Sequence, residues 1–321
     1  MGRCRQTAPL PRSLCPSRSR ALRRAMRLET TLSKKLGLKY PFVAAPMFLI
    51  SNKEMLLASA EAGILGCMPS LNARTPQAFR DDLAWVRART DKPIGINLTI
   101  GLTPPERIEQ DLSTCLEFDV PVIVTSYGNP TEVVKRVHEK GRLVFHDVIS
   151  LHHGKKAVGA GVDAIIAVGA GAGGHAGRIS PFVLVPWLAE ELKVPIIAAG
   201  CISDGRQVVA SLSLGAQLCY LGTRFIASSE CGASDAYKQM VVSSGPEDVV
   251  YTDVVSGIHA NFLKATVPEN FSADRSPEGA KRWKDIWSAG QGVGLVHAVK
   301  PIGAIVEDLA REAHDTFSAL G

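Results

Sequence analysis

The chain predicts an α/β architecture, a (β/α)8 TIM barrel with an insertion after the eighth strand, and three observations carry that prediction. From residue 41 onward, short apolar or β-branched runs alternate with helical patterns, and this happens eight times. Each intervening helical pattern is long enough for a right-handed crossover between parallel strands. Glycine-rich or small-residue turns follow several of the apolar runs, which is where a barrel gathers its loops. An alternation sustained this long favours a closed barrel over an open doubly wound sheet.

The expected strands are residues 42–45, 64–67, 93–97, 120–125, 142–147, 164–168, 195–199 and 217–221. The expected helices between them are residues 53–62, 76–87, 105–115, 131–139, 151–158, 181–192 and 206–214. Ser180 followed by Pro181 reads as a cap with proline at the first helical position, and Ser203 with Asp204 offers a second cap. Gly141, Gly161 and Gly215 follow helix ends and read as stops before the next strand. After Arg224 the rhythm is lost. Residues 229–300 form an insertion with short helices expected at 235–242 and 281–289, serving as a lid or accessory segment, before a closing helix at 301–318.

Composition bounds the function. At 321 residues and 46% hydrophobic, the chain can bury a large core. The formal charge is +5, but residues 1–27 hold eight arginines and no acid, so the remainder carries −3. A nucleic-acid role is thereby disfavoured, since the body has no dense basic stripe. Residues 1–27 read as an Arg-rich disordered leader before a single domain at 28–321, with Met26 as an alternative start. A cytoplasmic location is expected, and an organelle address for the leader stays open. No run of eighteen apolar residues without a charge occurs, so no membrane span is expected. The seven cysteines are odd in number and form no CxxC pair, as expected of reduced thiols, and no His/Asp/Glu spacing makes a metal motif.

The most informative segment is residues 164–177, in which an apolar strand runs into Gly-Ala-Gly-Ala-Gly-Gly-His-Ala-Gly. Such a turn brings backbone against a flat or anionic ligand while His175 faces its reactive part; a tight turn with a surface histidine is the plainer alternative. In barrel register the mouth also collects Met47, Asn97, Ser126, His146, Asp147, Gly200, Gly222 and Thr223. Gly200, Gly222 and Thr223 follow the last two strands, where barrels commonly bind phosphate. Asn97 suits the edge of a heterocycle and Met47 an apolar ring face, while Ser126 and Tyr127 are weaker candidates. His175 is the best acid–base candidate.

The segments AAPM at 44–47, GAGAGGHAG at 169–177, AAGCISDGR at 198–206 and YLGTRF at 220–225 together resemble the nitronate monooxygenase (2-nitropropane dioxygenase-like) family over roughly residues 36–300. That resemblance implies an FMN cofactor held by Met47, Asn97, Gly173, Gly174, Gly200, Tyr220, Leu221, Gly222 and Thr223, with His175 as the catalytic residue. It further implies oxidation of alkyl nitronates, and of nitroalkanes, by dioxygen to carbonyl compounds and nitrite. The same loop resembles NAD(P)H-dependent flavin reductases acting on quinones or enoyl groups on acyl carrier protein, so that activity remains an alternative. A non-catalytic ligand-binding barrel is a second alternative, and a homo-oligomer is left open.

Overall fold

The computed structural model describes residues 28–268 and 285–320. The leader at 1–27 and residues 281–284 of the expected 281–289 helix lie outside the described residues. Eight parallel strands close into a barrel in the order β1 (Phe42–Ala44), β2 (Leu65–Pro69), β3 (Ile94–Leu98), β4 (Val122–Thr125), β5 (Leu143–Val148), β6 (Ala164–Val168), β8 (Ile196–Ala199) and β9 (Ala216–Leu221). Closure comes from β1 pairing with β9, Phe42 opposite Cys219 and Ala44 opposite Leu221. The missing number, β7, is the two-residue strand Gly174–His175, which leaves the barrel for a second sheet.

The strands are apolar along almost their whole length because both faces are covered. Val43, Leu65, Cys67, Val122, Val124, Phe145, Ile166, Ile197 and Leu218 pack in one cluster inside the barrel, while alternate residues such as Phe42, Met68, Ile96 and Cys219 pack outward. Below the barrel, α1 (Thr31–Lys35) contributes Leu32, and its C-cap residue Leu36, to the inner cluster. Its cap residue Thr30 donates its hydroxyl to the Gln217 carbonyl at 2.6 Å, which seats α1 at the start of β9.

The outer layer follows the expected order: α2 (Lys53–Glu61), α3 (Pro76–Arg87), α4 (Pro105–Glu117), α5 (Thr131–Glu139), α6 (Leu151–Gly159), α7 (Pro181–Glu191) and α8 (Gly205–Ser213). Asp204 caps α8 in a reciprocal box with Gln207, as expected. Ser180 makes no side-chain capping bond, so α7 begins on Pro181 alone. Gly141, Gly161 and Gly215 all have left-handed backbone, with φ of +64°, +91° and +99°, consistent with helix stops.

Past β9 come α9 (Thr223–Ile226), α10 (Asp235–Ser243), β10 (Val249–Thr252), β11 (Ala260–Leu263) and the closing α11 (Ile302–Leu320). The insertion departs from expectation in two respects. Residues 285–289, the described end of the expected 281–289 helix, are a turn, a bend and irregular backbone. In addition, β10, β11 and β7 form an antiparallel sheet that short periodic runs did not reveal. Val255, Ala260, Phe262 and Ile286 make a separate apolar cluster under it.

α11 packs across α8 and α2 and completes the helical ring. Its approach to α8 depends on Gly205, where a Cβ would lie 2.1 Å from the Ala313 nitrogen. Gly205→Ala must therefore separate two helices, at an expected cost of about 1–3 kcal/mol. A lowered Tm would register the cost; an unchanged Tm would mean that the crossing tolerates the methyl group.

Candidate active site

A cleft of about 2070 Å³ opens at the C-terminal ends of the barrel strands. It is lined by nine of the expected site residues: Met47, Asn97, Gly173, Gly174, His175, Gly200, Tyr220, Gly222 and Thr223. Leu221 is the exception. Its side chain is 1% exposed and packs outward into the helical layer, and its carbonyl accepts the Ala45 N–H at 2.9 Å. Alternation along β9 makes this unavoidable: if Tyr220 faces the barrel interior, Leu221 cannot.

Among the described residues, three of the four non-glycine positions with left-handed backbone stand on this cleft: Leu49 (φ +67°), Tyr127 (φ +59°) and Cys201 (φ +56°). Backbone held in that region costs free energy and clusters at functional sites. Gly200, with φ of +111°, adjoins Cys201. Burial raises the Cys201 thiol above its ordinary value, so the residue is a protonated thiol and not a nucleophilic thiolate.

The floor of the cleft is a hydrogen-bonded row across three neighbouring strand ends. Asn97 Nδ2 donates to Ser126 Oγ at 2.8 Å, and Ser126 Oγ donates to Asp147 Oδ2 at 2.6 Å. Burial pushes the Asp147 carboxyl up to about 6, with the Ser126 hydrogen bond acting in the opposite direction. Asp147 Oδ1 has no partner, nor do the buried hydroxyls of Tyr220, Tyr127 and Ser203. All four residues line the cleft. Buried polar atoms without partners are rare in native proteins, and their convergence here marks a place prepared for a polar ligand. His146 points elsewhere, its Nδ1 within 2.8 Å of Thr125 Oγ1, so adjacency to Asp147 does not make a pair.

The glycine loop is held from three directions. β7 pairs with β11, Ala260 opposite His175 and Asn261 opposite Gly174. Asn261, 2% exposed, donates Nδ2 to the Ala172 carbonyl at 2.7 Å, and Tyr251 donates its hydroxyl to the Ala176 carbonyl at 2.8 Å. At the loop's other edge a Cβ on Gly173 would come within 2.9 Å of the Gly290 nitrogen and 3.2 Å of Thr223 Oγ1. Thr223 Oγ1 in turn accepts the Gly290 N–H at 2.8 Å. Glycine is required at 173 by this packing, whereas a Cβ at Gly174 or Gly222 would meet nothing closer than 3.8 Å.

His175 sits in this loop with Tyr127 edge-on, ring centroids 5.7 Å apart. Burial lowers its pKa below the ordinary histidine value, which keeps the imidazole neutral near pH 7. Its Nε2 lies 3.2 Å from Ser256 Oγ, on the turn between β10 and β11. Sequence reasoning missed Ser256, Asn261 and Tyr251, because pairing of the insertion with the His175 loop leaves no local signal. Asp147 was already placed at the mouth by strand register, where a charged residue on an apolar strand is conspicuous; its row with Ser126 and Asn97 was not. Among the described residues no group of His, Cys, Asp and Glu converges in a manner suited to a metal ion.

A closed parallel barrel whose strand ends carry a glycine-lined cleft, orphaned polar atoms and a neutral buried histidine has the make-up of a barrel enzyme's ligand site. The family model for nitronate monooxygenase matches residues 29–280, and the chain belongs to that family. A probable nitronate monooxygenase of Staphylococcus saprophyticus is 25% identical, the alignment covering 91% of this chain and 100% of the relative. Among solved structures, FabK from Thermotoga maritima is 30% identical with a TM-score of 0.80, over 91% of this chain and 98% of that one. A nitroalkane oxidase from Streptomyces ansochromogenes is 26% identical with a TM-score of 0.79, over 90% and 99% of the two chains. No described helix is long and apolar enough to cross a membrane.

Proposed function

We propose that this protein holds FMN in the barrel mouth and oxidises alkyl nitronates, and nitroalkanes after their deprotonation, with dioxygen to carbonyl compounds and nitrite. The observation that carries the reading is a neutral, half-buried His175 beside a glycine-lined cleft, in a chain of the nitronate monooxygenase family. The residues fit the cofactor. Gly174 and Gly222 leave open space where side chains would stand, and the unpartnered Asp147 Oδ1 and Tyr220 hydroxyl offer polar contacts. Gly200, Gly222 and Thr223 would take the phosphate, Thr223 having a hydroxyl proton to donate while its oxygen accepts from Gly290. Met47, Asn97, Tyr220 and the Gly173–Gly174 backbone would flank the ring system, and Leu221 could contribute only through its backbone. When bound, the flavin supplies the electron chemistry.

His175 acts on the substrate's proton. The C–H bond beside the nitro group breaks, the proton passes to the imidazole, and the bonding pair delocalises into the nitro group to give the nitronate. The resulting imidazolium then stands beside the anion it has created. A substrate supplied already as nitronate does not need this step.

One observation favours a second reading, an NAD(P)H-dependent flavin reductase acting on quinones or enoyl-acyl carriers. The cleft is large, and its rim exposes Phe48, Leu49, Leu102, Ile149 and Ile258, more apolar surface than a short nitroalkane needs. Anaerobic rapid mixing of FMN-loaded protein with an alkyl nitronate and, separately, with NADH or NADPH discriminates between the two. A fast change in flavin absorbance with nitronate but not with nicotinamide is expected. Full bleaching by NAD(P)H with no response to nitronate would transfer the assignment to the reductase, and failure to retain any flavin would leave a ligand-binding barrel.

A further inference from the structure

We infer that Ser256, carried by the insertion, is a positioning residue that holds His175 as its Nε2–H tautomer and so makes Nδ1 the nitrogen that accepts the substrate's proton; this rests on the base role proposed above. The argument turns on a single hydroxyl proton. Ser256 Oγ lies 2.9 Å from the Ile258 carbonyl oxygen, which can only accept, so the hydroxyl donates there. The Ile258 N–H points back at the same Oγ at 3.4 Å and donates to it. Only lone-pair density is then left to face His175 Nε2 at 3.2 Å. A contact at that distance is stabilising only if Nε2 carries the hydrogen, and in a neutral imidazole Nδ1 is then the unprotonated nitrogen.

The surroundings make this arrangement specific. The ladder between β7 and β11 fixes the backbone of His175, and the Tyr127 ring standing at 86° to the imidazole restrains its plane. On the other side, buried Val255 anchors the turn in the cluster with Ala260, Phe262 and Ile286, so the adjacent Ser256 is delivered from a packed base. Tyr127 is the titratable side chain facing the imidazole from the β4 loop. The nearby charged and titratable groups engage one another: Arg178, just past the glycine loop, has Nη2 3.0 Å from His259 Nε2, and Asp253 lies 3.9 Å from His259 Nδ1. None of these contacts replaces Ser256 as the partner of Nε2. The second nitrogen of a catalytic histidine commonly decides which nitrogen is basic, and here that decision falls to a segment outside the barrel.

The test reads the tautomer directly. Long-range proton–nitrogen NMR of the FMN-loaded protein gives the His175 pattern, identified by its disappearance in His175→Asn. The Nε2–H pattern is expected in the native chain, a mixture of tautomers in Ser256→Ala, and recovery of the native pattern in Ser256→Thr. In parallel, Ser256→Ala is expected to lower kcat/KM for a neutral nitroalkane about tenfold while nitronate turnover changes by less than about twofold. A dominant Nδ1–H pattern in the native chain would overturn the inference, as would a Ser256→Ala protein with the native pattern and an unchanged nitroalkane rate. If neither substrate is turned over, the proposed activity fails and the tautomer pattern still decides what Ser256 does.

Discussion

His175→Asn is expected to lower kcat/KM for neutral nitroalkanes by roughly 10²–10⁴-fold, the range that a positioned general base supplies. Turnover of preformed nitronates should fall far less, because no carbon-bound proton remains to be removed. Asparagine is a suitable replacement: it is planar, polar and smaller than the imidazole, so it fits the space without strain, and it gives up the contact with Ser256 Oγ, which lies 3.2 Å from the native Nε2. It cannot take up a proton near neutral pH. The β7–β11 backbone pairing at position 175 needs no imidazole, so fold and flavin content should survive. Parallel rate measurements on a nitroalkane and its nitronate at constant flavin occupancy check the prediction. Equal losses on both would assign His175 to holding the anion, and no loss on either would remove it from the chemistry.

The pH dependence follows from the same residue. The His175 pKa is lowered by burial, so the neutral, proton-accepting form persists to more acidic pH than an exposed histidine would allow. On the nitroalkane reaction the acid limb of kcat/KM should accordingly fall below the ordinary histidine range, and it should vanish with His175→Asn.

The barrel was legible because its strands are buried on both faces. Runs such as residues 122–124 and 164–168 are apolar with no alternation, and Gly141, Gly161 and Gly215 punctuate them at left-handed helix stops. Most of the mouth followed from register alone, since barrel topology brings the end of every strand to one side. Leu221 shows the limit of reasoning by segment. It belongs to a matching run, yet the period of two turns its side chain into the outer core. The insertion was illegible for a different reason. Strands β10 and β11 are short, and β11 pairs with Gly174 and His175 some eighty residues earlier while β10 pairs with β11; nonlocal pairing of that kind leaves no periodic signature. Ser256, Asn261 and Tyr251 were lost with it.

Gly222→Leu is expected to yield a folded protein that has lost most of its affinity for FMN. The two halves of that expectation come from one geometric fact. A Cβ at position 222 would meet only the Ala45 Cβ at 3.8 Å and the Met47 sulfur at 3.9 Å, so a side chain there projects into open cleft and not into the core. Its backbone φ of −100° is one that L-residues adopt freely. Folding should therefore proceed with a near-native Tm for the flavin-free protein. A ligand that must press against this backbone instead meets a branched side chain. Forcing such an overlap costs about 1–3 kcal/mol, equivalent to a Kd weakened about five- to 150-fold. Gly173→Val supplies the contrast, because its Cβ would strike the Gly290 nitrogen at 2.9 Å and should lower Tm even without flavin. Titration of apo-protein with FMN, followed by flavin fluorescence, measures the affinity, and melting curves of the same preparations measure the fold. Native affinity in Gly222→Leu would exclude this position from the phosphate contact and shift that contact toward Gly200 and the Gly173–Gly174 turn. A Tm loss equal to that of Gly173→Val would mean that position 222 serves the barrel and not its ligand.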